Sequence, residues 1–273
     1  MQAVTEGRFH CRITPEVAYL EPAVRNGPAR LRCAFTLRQA GTSGRELNLS
    51  FDRGPRPEVL ANRQHLLYAL GLGHTTLYTV RQVHGNEVCV VDTQAVRHGL
   101  HGVAADALVT ALPDVTLGVL VADCLPIVLY TLDPPVVGMV HAGRMGTYHQ
   151  VVSRTLAVMQ QRFGVQPARV FAGFGLAIGG CCYTLDARAV RPFQEQFANW
   201  ETFFTRHGTA HWTMHLVTAN VAQLRAAGVP PAQLHIADIC TVCYAQHLYS
   251  HRAEGQAAGR CMGVVAMCGG GGQ

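Results

Sequence analysis

Apolar residues in this chain cluster into short, β-branched runs separated by Gly, Pro, Asn and Asp. A helical three-to-four-residue period appears in a few longer stretches. The short runs predict strands over residues 31–37, 76–83, 87–92, 107–110, 116–122, 126–131, 136–140, 170–178 and 263–267. Gly85-Asn86, between the second and third of these, reads as the turn of a hairpin. Helices are predicted over 57–70, closed by Gly71 and Gly73, and over 147–163, with Thr147 as N-cap and Gly164 just past the end. Two more follow, 186–197 behind the capping Asp186 and 217–227 stopped by Gly228, Pro230 and Pro231. Several strands are apolar throughout rather than alternating, which requires cover on both faces. Strand and helix signals interleave without repeat or linker, so the expected architecture is a single α/β domain over residues 31–267. Residues 1–30, with Pro15, Pro22 and Pro28, read as an irregular or edge segment, and Gly-rich 268–273 as a frayed tail.

Composition sharpens this. The chain has 273 residues, 49% of them hydrophobic and only 14% charged, enough to build a large core and too apolar for disorder. All 22 basic residues are Arg. A Schiff-base lysine and a P-loop lysine are therefore excluded, and any anion held by a side-chain cation must be held by Arg. Arg38, Arg63, Arg252 and Arg260 stand in loop-like or element-terminal contexts suited to phosphate, although a solvated surface Arg is the commoner role. The basic residues are scattered, which argues against a nucleic-acid partner. No apolar run is long enough for a signal peptide or a membrane span, so the expected setting is cytoplasmic and reducing, with ten free thiols available as ligands.

Three segments end strands with metal-capable side chains: RQVHG with His84, VADCLP with Cys124, and VHAGRMG with His141. Two imidazoles and a thiolate suit Zn²⁺ with an open fourth position, and Cu(I) would also accept them. A metal held that way can bind water or polarise a substrate oxygen. The ligands lie 40 and 17 residues apart, which matches no zinc-finger spacing. Each also reads as a buried thiol or a backbone-bonded histidine. Asp123, beside Cys124, reads equally as an orienting carboxylate or general acid and as a turn cap. The adjacent Cys181 and Cys182 read as structural, because adjacent cysteines cannot easily both ligate one tetrahedral site. Cys240-Thr-Val-Cys243 has CxxC form without a second pair, and coincidence is favoured over a redox or half-site role.

In order, RQVHG, ADALVT, VADCLPIVLY, VHAGRMGT, AIGGCCYTLD and SHRAEGQAAGR resemble the bacterial laccase-domain proteins, also called multicopper polyphenol oxidase-like proteins and purine nucleoside phosphorylases, with some members named as a peptidoglycan editing factor. The resemblance runs from about residue 35 to 265. It implies mixed β-sheets sandwiched by helices, similar to the Cys/His fold of a bacterial deamidating toxin, and metal ligands at His84, Cys124 and His141. It further implies phosphorolysis of adenosine, guanosine or inosine, with adenosine deamination and methylthioadenosine cleavage in some members. On that reading Arg38, Arg63, Arg144 and Arg260 supply phosphate-binding charge. Asp123 or Gln82 orients the nucleophile or the purine. The rival readings are a Cys124–His amidase acting on peptidoglycan precursors, copper-dependent phenol oxidation, and a metal-holding domain without catalysis. The family's usual HAGWRG stands here as HAGRMG, and its SYRRDG as SHRAEG, with His215-Leu216 where Asp-Leu is usual. These departures fall on the substrate side of the ligands. The oligomeric state is left open.

Overall fold

In the computed structural model, which describes residues 9–23, 31–208 and 211–269, two six-stranded mixed sheets pack face to face. The first runs β1 (Phe9–Ile13), β2 (Ala18–Pro22), β3 (Leu31–Thr36), β17 (Cys261–Met267), β9 (Val115–Val121) and β6 (Thr76–Tyr78). It is antiparallel except where β6 joins β9. The second runs β16 (Leu234–Ile236), β12 (Phe171–Phe174), β10 (Leu125–Leu132), β11 (Pro135–Ala142), β8 (Ala107–Thr110) and β7 (Val88–Val90), with parallel pairs at its two edges. Two short ribbons stand apart, β4 (Gln39–Ala40) with β5 (Arg45–Glu46), and β13 (Thr184–Asp186), β15 (His211–Met214) and β14 (Phe204–His207).

The facing sides interlock through Phe35, Leu117 and Val265 of one sheet and Val128, Val137 and Met139 of the other. Helix α1 (Arg56–Ala69) buries Leu66 on the outer side of the first sheet. Helices α4 (Val151–Phe163) and α6 (Leu216–Ala226) cover the second, with Leu156, Met159 and Leu224 fully buried. Each such side chain stabilises the fold by about 1.5–3 kcal/mol relative to exposure. Both sheets are thus covered twice, which is why their strands are apolar throughout. The short helix α2 (Thr93–His98) is capped by Asp92, and α5 (Ala187–Gln196) by Asp186 as the sequence predicts. A one-turn helix α3 (Arg144–Tyr148) and a short α7 (His251–Glu254) border the site described below.

The structure decides one local alternative and corrects two expectations. Residues 9–22, read as part of an irregular or edge segment, form the β1–β2 hairpin at the edge of the first sheet. Pro15 falls in its turn and Pro22 at a strand end, where a missing donor is tolerated. Gly85-Asn86 does not close a hairpin, because β6 and β7 belong to different sheets and the chain between them crosses from one to the other. Thr147 caps nothing: it is buried inside α3, held by Asn220 and Gln223 of α6, and Gln150 in a left-handed conformation starts α4. Of the Gly-rich tail, residues 270–273 lie outside the described residues, as does Pro28.

Candidate active site and metal centre

The chain crosses between the large sheets at residues 79–87, joining β6 to β7, and again at 122–124, joining β9 to β10. His84 lies on the first crossing and Cys124 on the second. His141 lies near the end of β11, paired with Pro126 of β10. Crossing within so few residues forces unusual backbone: His84 has φ +60° and Asp123 φ +88°, left-handed values that non-glycine residues adopt at a cost.

The metal-capable atoms of His84, Cys124 and His141 all lie within 4.8 Å of one another. Cys124 Sγ is 3.7 Å from His84 Nε2, and the two imidazole rings meet edge-on with centroids 4.9 Å apart. His141 is buried, Cys124 half-buried and His84 exposed, so the trio is open on one side. The surroundings fit an ion here. A Cβ at Gly143 would stand 2.8 Å from Cys124 Sγ and 3.0 Å from His84 Cδ2, so only glycine leaves the three donors free to converge.

One carboxylate organises this centre, and sequence reasoning missed it. Asp106, fully buried at the start of the ADALVT segment, takes 2.9 and 2.8 Å bonds at Oδ1 from the His84 N–H and His141 Nδ1. Its Oδ2 accepts the N–H groups of Val83 at 3.2 Å and Gly85 at 2.7 Å. Three successive backbone donors thus close on one anion as a nest, which pins the strained His84 turn. The bond to Nδ1 sets the tautomer that leaves His141 Nε2 free to ligate. Burial alone would raise the Asp106 carboxyl, but His141 and these N–H groups outweigh it and hold the group below the usual carboxylate range. The available signal was an acid at the mouth of an otherwise apolar strand, a place where a carboxylate persists only if fully bonded.

In the metal-free trio, burial opposes charge on both Cys124 and His141, yet each stabilises the other. With His84 adding to the effect, the Cys124 thiol is held down at about 6. With Asp106 adding to it, the His141 imidazole is pushed up to about 9. The thiolate a metal requires is therefore already favoured near neutral pH.

The trio opens into a cavity of about 610 Å³. Five arginines line it, Arg53, Arg81, Arg144, Arg252 and Arg260, against two acids, Asp52 and Asp123. Arg144 and Arg260, read in the sequence as phosphate-binding, both line it. Arg260 Nη1 is tied to the Ala258 and Gly259 carbonyls, and burial and Arg53 lower its pKa. Arg252 joins them, stacked 5.3 Å over Tyr183. Arg53 and Arg81, which local pattern did not single out, complete the set.

Arg38 and Arg63 are not in this cavity, which corrects their expected placement. Arg38 is held by Glu46 and Glu254 and stacks on Tyr249. Arg63 donates twice to the Leu49 carbonyl and lies over Phe51, and burial beside Arg56 lowers it to about 10. Asp123 does not meet the histidines. Its Oδ1 accepts Thr241 Oγ1 at 2.5 Å and Ser250 Oγ at 2.7 Å, and its Oδ2 accepts the Arg252 N–H at 2.6 Å. It anchors the SHRAEG segment to the cavity wall. The Gln82 amide is engaged at both ends by the Leu120 backbone, which fastens the first crossing to β9.

The crystal structure of YlmD from Geobacillus stearothermophilus superposes with a TM-score of 0.85 at 25% identity, covering 96% of this chain and 100% of that one. A purine nucleoside phosphorylase of Corynebacterium glutamicum is 33% identical over 88% of this chain and 95% of its own length. An adenosine deaminase, RL5, from an unknown prokaryotic organism is 32% identical over 74% of this chain and 79% of its own. No described helix is long and apolar enough to cross a membrane. With the multi-copper polyphenol oxidoreductase laccase model matching residues 32–268, the chain belongs to that family.

Proposed function

We propose that the chain is a zinc-dependent purine nucleoside phosphorylase. The observation that carries this reading is the pairing of a His/Cys/His centre with an arginine-lined cavity large enough for a small polar ligand. In this reaction a phosphate oxygen bonds to the ribose C1′ as the bond from C1′ to the purine nitrogen breaks, and the base leaves with a proton. The phosphate must be held as a multiply charged anion in a partly dry site, which is the task of Arg144, Arg252 and Arg260, with Arg53 and Arg81 beside them. The apolar wall of Val80, Leu120, Ile178 and Leu216, with Tyr183, suits a purine face. Asp106 fixes His141 and the His84 turn, Asp123 holds Arg252 against the cavity, and Gln82 holds the first crossing; all three are positioning residues. Zn²⁺, when bound by His84, Cys124 and His141, supplies a Lewis acid beside the reacting groups.

The test is incubation of purified chain with adenosine, guanosine or inosine and phosphate, with chromatography of products. Free base and ribose 1-phosphate are expected, dependent on phosphate and lost in His84→Ala and Cys124→Ala. Base release that ignores phosphate, or that survives those substitutions, refutes the proposal. The same chromatogram reads inosine from adenosine, the reaction named for RL5.

The depressed Cys124 thiol beside His141 favours one second reading, a Cys–His amidase. Amide cleavage that persists in chelator-treated protein would support it; loss of all activity on metal removal would exclude it.

A further inference from the structure

The cysteines that sequence spacing left unassigned converge. Strands β12 and β16 run parallel, so the loops that follow them leave the sheet at the same end. An isolated bridge between Ala177 and Cys240, with the Thr241 N–H donating to the Ala177 carbonyl at 3.0 Å, sets the two loops in register. Cys181 and Cys182 lie on one loop, Cys240 and Cys243 on the other. Cys243 Sγ is 3.6 Å from both Cys181 Sγ and Cys182 Sγ, and all four sulfurs lie within 4.8 Å of one another.

That spacing separates a bridged pair from four unbridged thiols close enough to share an ion. A zinc–sulfur bond of about 2.3 Å in tetrahedral geometry puts neighbouring sulfurs about 3.8 Å apart. A disulfide would hold two of them at about 2.0 Å. The two Cys243 contacts of 3.6 Å lie near the edge of that tetrahedron, the other pairs stay within 4.8 Å, and no two sulfurs are bridged: all ten cysteines are free. The objection that adjacent cysteines point opposite ways applies only to a strand. The N–H groups of Cys182 and Tyr183 both donate to the Gly179 carbonyl at 3.0 Å, a turn that brings both thiols near Cys243. Gly179 also donates its N–H to Cys240 Sγ at 3.2 Å, the kind of backbone support that metal-bound thiolates receive. A Cβ on Gly179 would stand 3.1 Å from Cys240 Cβ and 3.2 Å from Cys181 Sγ, crowding that cradle.

The geometry points to a second metal site, a closed four-thiolate Zn²⁺ centre on Cys181, Cys182, Cys240 and Cys243 that clamps the two loops together. Four protein ligands leave no position for substrate, so the site is structural. Its neighbours give it a role. Tyr183 follows Cys182, lines the active cavity and carries the Arg252 guanidinium; Thr241 follows Cys240 and donates to Asp123. The clamp thereby holds the wall on which Arg252 is presented.

The test is metal analysis of the full chain purified without chelator, beside Cys124→Ser and Cys240→Ser/Cys243→Ser. About one zinc ion per chain is expected to persist in Cys124→Ser, and about one to be lost from the double variant. Zinc that disappears wholly with Cys124→Ser overturns the proposal. So does a bridge between Cys243 and Cys181 or Cys182 in peptide maps of thiol-blocked protein. Because removing two loop ligands also weakens the fold, cobalt substitution of Cys124→Ser supplies a second measurement with the four sulfurs intact. Intense thiolate-to-cobalt charge transfer with tetrahedral ligand-field bands is expected, and their absence overturns the site. Neither measurement uses nucleoside turnover, so failure here is distinct from failure of the phosphorylase reading.

Discussion

Replacing Asp106 with Asn isolates the carboxylate that organises the His84, Cys124 and His141 trio while nearly keeping its shape. Four donors close on it, two at each oxygen, at 2.7 to 3.2 Å. The amide has one oxygen and one NH₂ group, so either orientation leaves two donors facing a donor with no water to relieve them. Hydrogen bonds to a charged group contribute about 1.5–3 kcal/mol each, so the loss is about 3–6 kcal/mol. At about 2–4 °C per kcal/mol, the melting temperature of the metal-stripped chain should fall by roughly 6–24 °C. Metal affinity should fall about 10–100-fold, the usual effect of removing a partner that orients a ligand. The pH dependence has a definite sign. The folded carboxyl sits below the ordinary range, so its contribution is present above that range and is lost as pH falls through the folded value. The gap between wild type and Asp106→Asn should therefore narrow in acid. Thermal melts at several pH values and competition with a chromophoric chelator read all three effects. A melting temperature within about 1 °C of wild type and a zinc affinity within about twofold would refute the organising role.

Gly143→Ala should fold, since φ is −78° there, but its methyl would press on Cys124 Sγ and His84. A cost of about 1–3 kcal/mol should appear as lost zinc affinity with an unchanged far-ultraviolet dichroism spectrum. Arg144→Ala and Arg252→Ala should each raise the KM for phosphate by about tenfold or more, through loss of a charge-assisted bond. Arg63→Ala should lower the melting temperature by breaking its bonds to Leu49 and leave that KM unchanged; steady-state kinetics with varied phosphate separate the two outcomes. In chelator-treated protein, alkylation of Cys124 followed by mass spectrometry should rise through about pH 6, because the thiolate predominates above its lowered pKa. Reloading with zinc should protect it, and a rise centred on the ordinary thiol value of 9.0 would count against the His141 pairing.

Much of the fold was legible locally. The β8 run of residues 107–110 matches the structure end to end, α6 begins one residue before its predicted start, and Asp186 caps α5 as its type suggests. Such features depend on a residue and its near neighbours: apolar period, side-chain acceptors at a helix start, a glycine able to take positive φ after Gln160–Phe163. The metal-capable residues were also recognisable, because His84, Cys124 and His141 occur in short segments with a known order. Their common location, by contrast, depends on two crossings between sheets, and nothing in Gly85-Asn86 distinguishes a crossing from a hairpin turn.

The same reason explains which polar residues were misread. Asp106 and Asp123 are both acids beside apolar strands, and only Asp123 drew a reading as the orienting carboxylate; packing placed Asp106 among the N–H groups of Val83–Gly85 and Asp123 under Ser250 and Thr241. Arg38 and Arg63 were as plausible in sequence as Arg144 and Arg260, but carboxylates and a carbonyl brought together by folding claim the first pair. The sharpest case is the four-cysteine cluster. Cys181-Cys182 and Cys240-Thr-Val-Cys243 are about 60 residues apart and individually uninformative. Parallel pairing of β12 with β16 brings their loops together and gathers the four sulfurs within 4.8 Å of one another. Local pattern decides which residues can form strands, caps and ligands, because those preferences act over a few bonds. Only the tertiary structure decides which of them meet, because contact across the sheets depends on how distant strands pair.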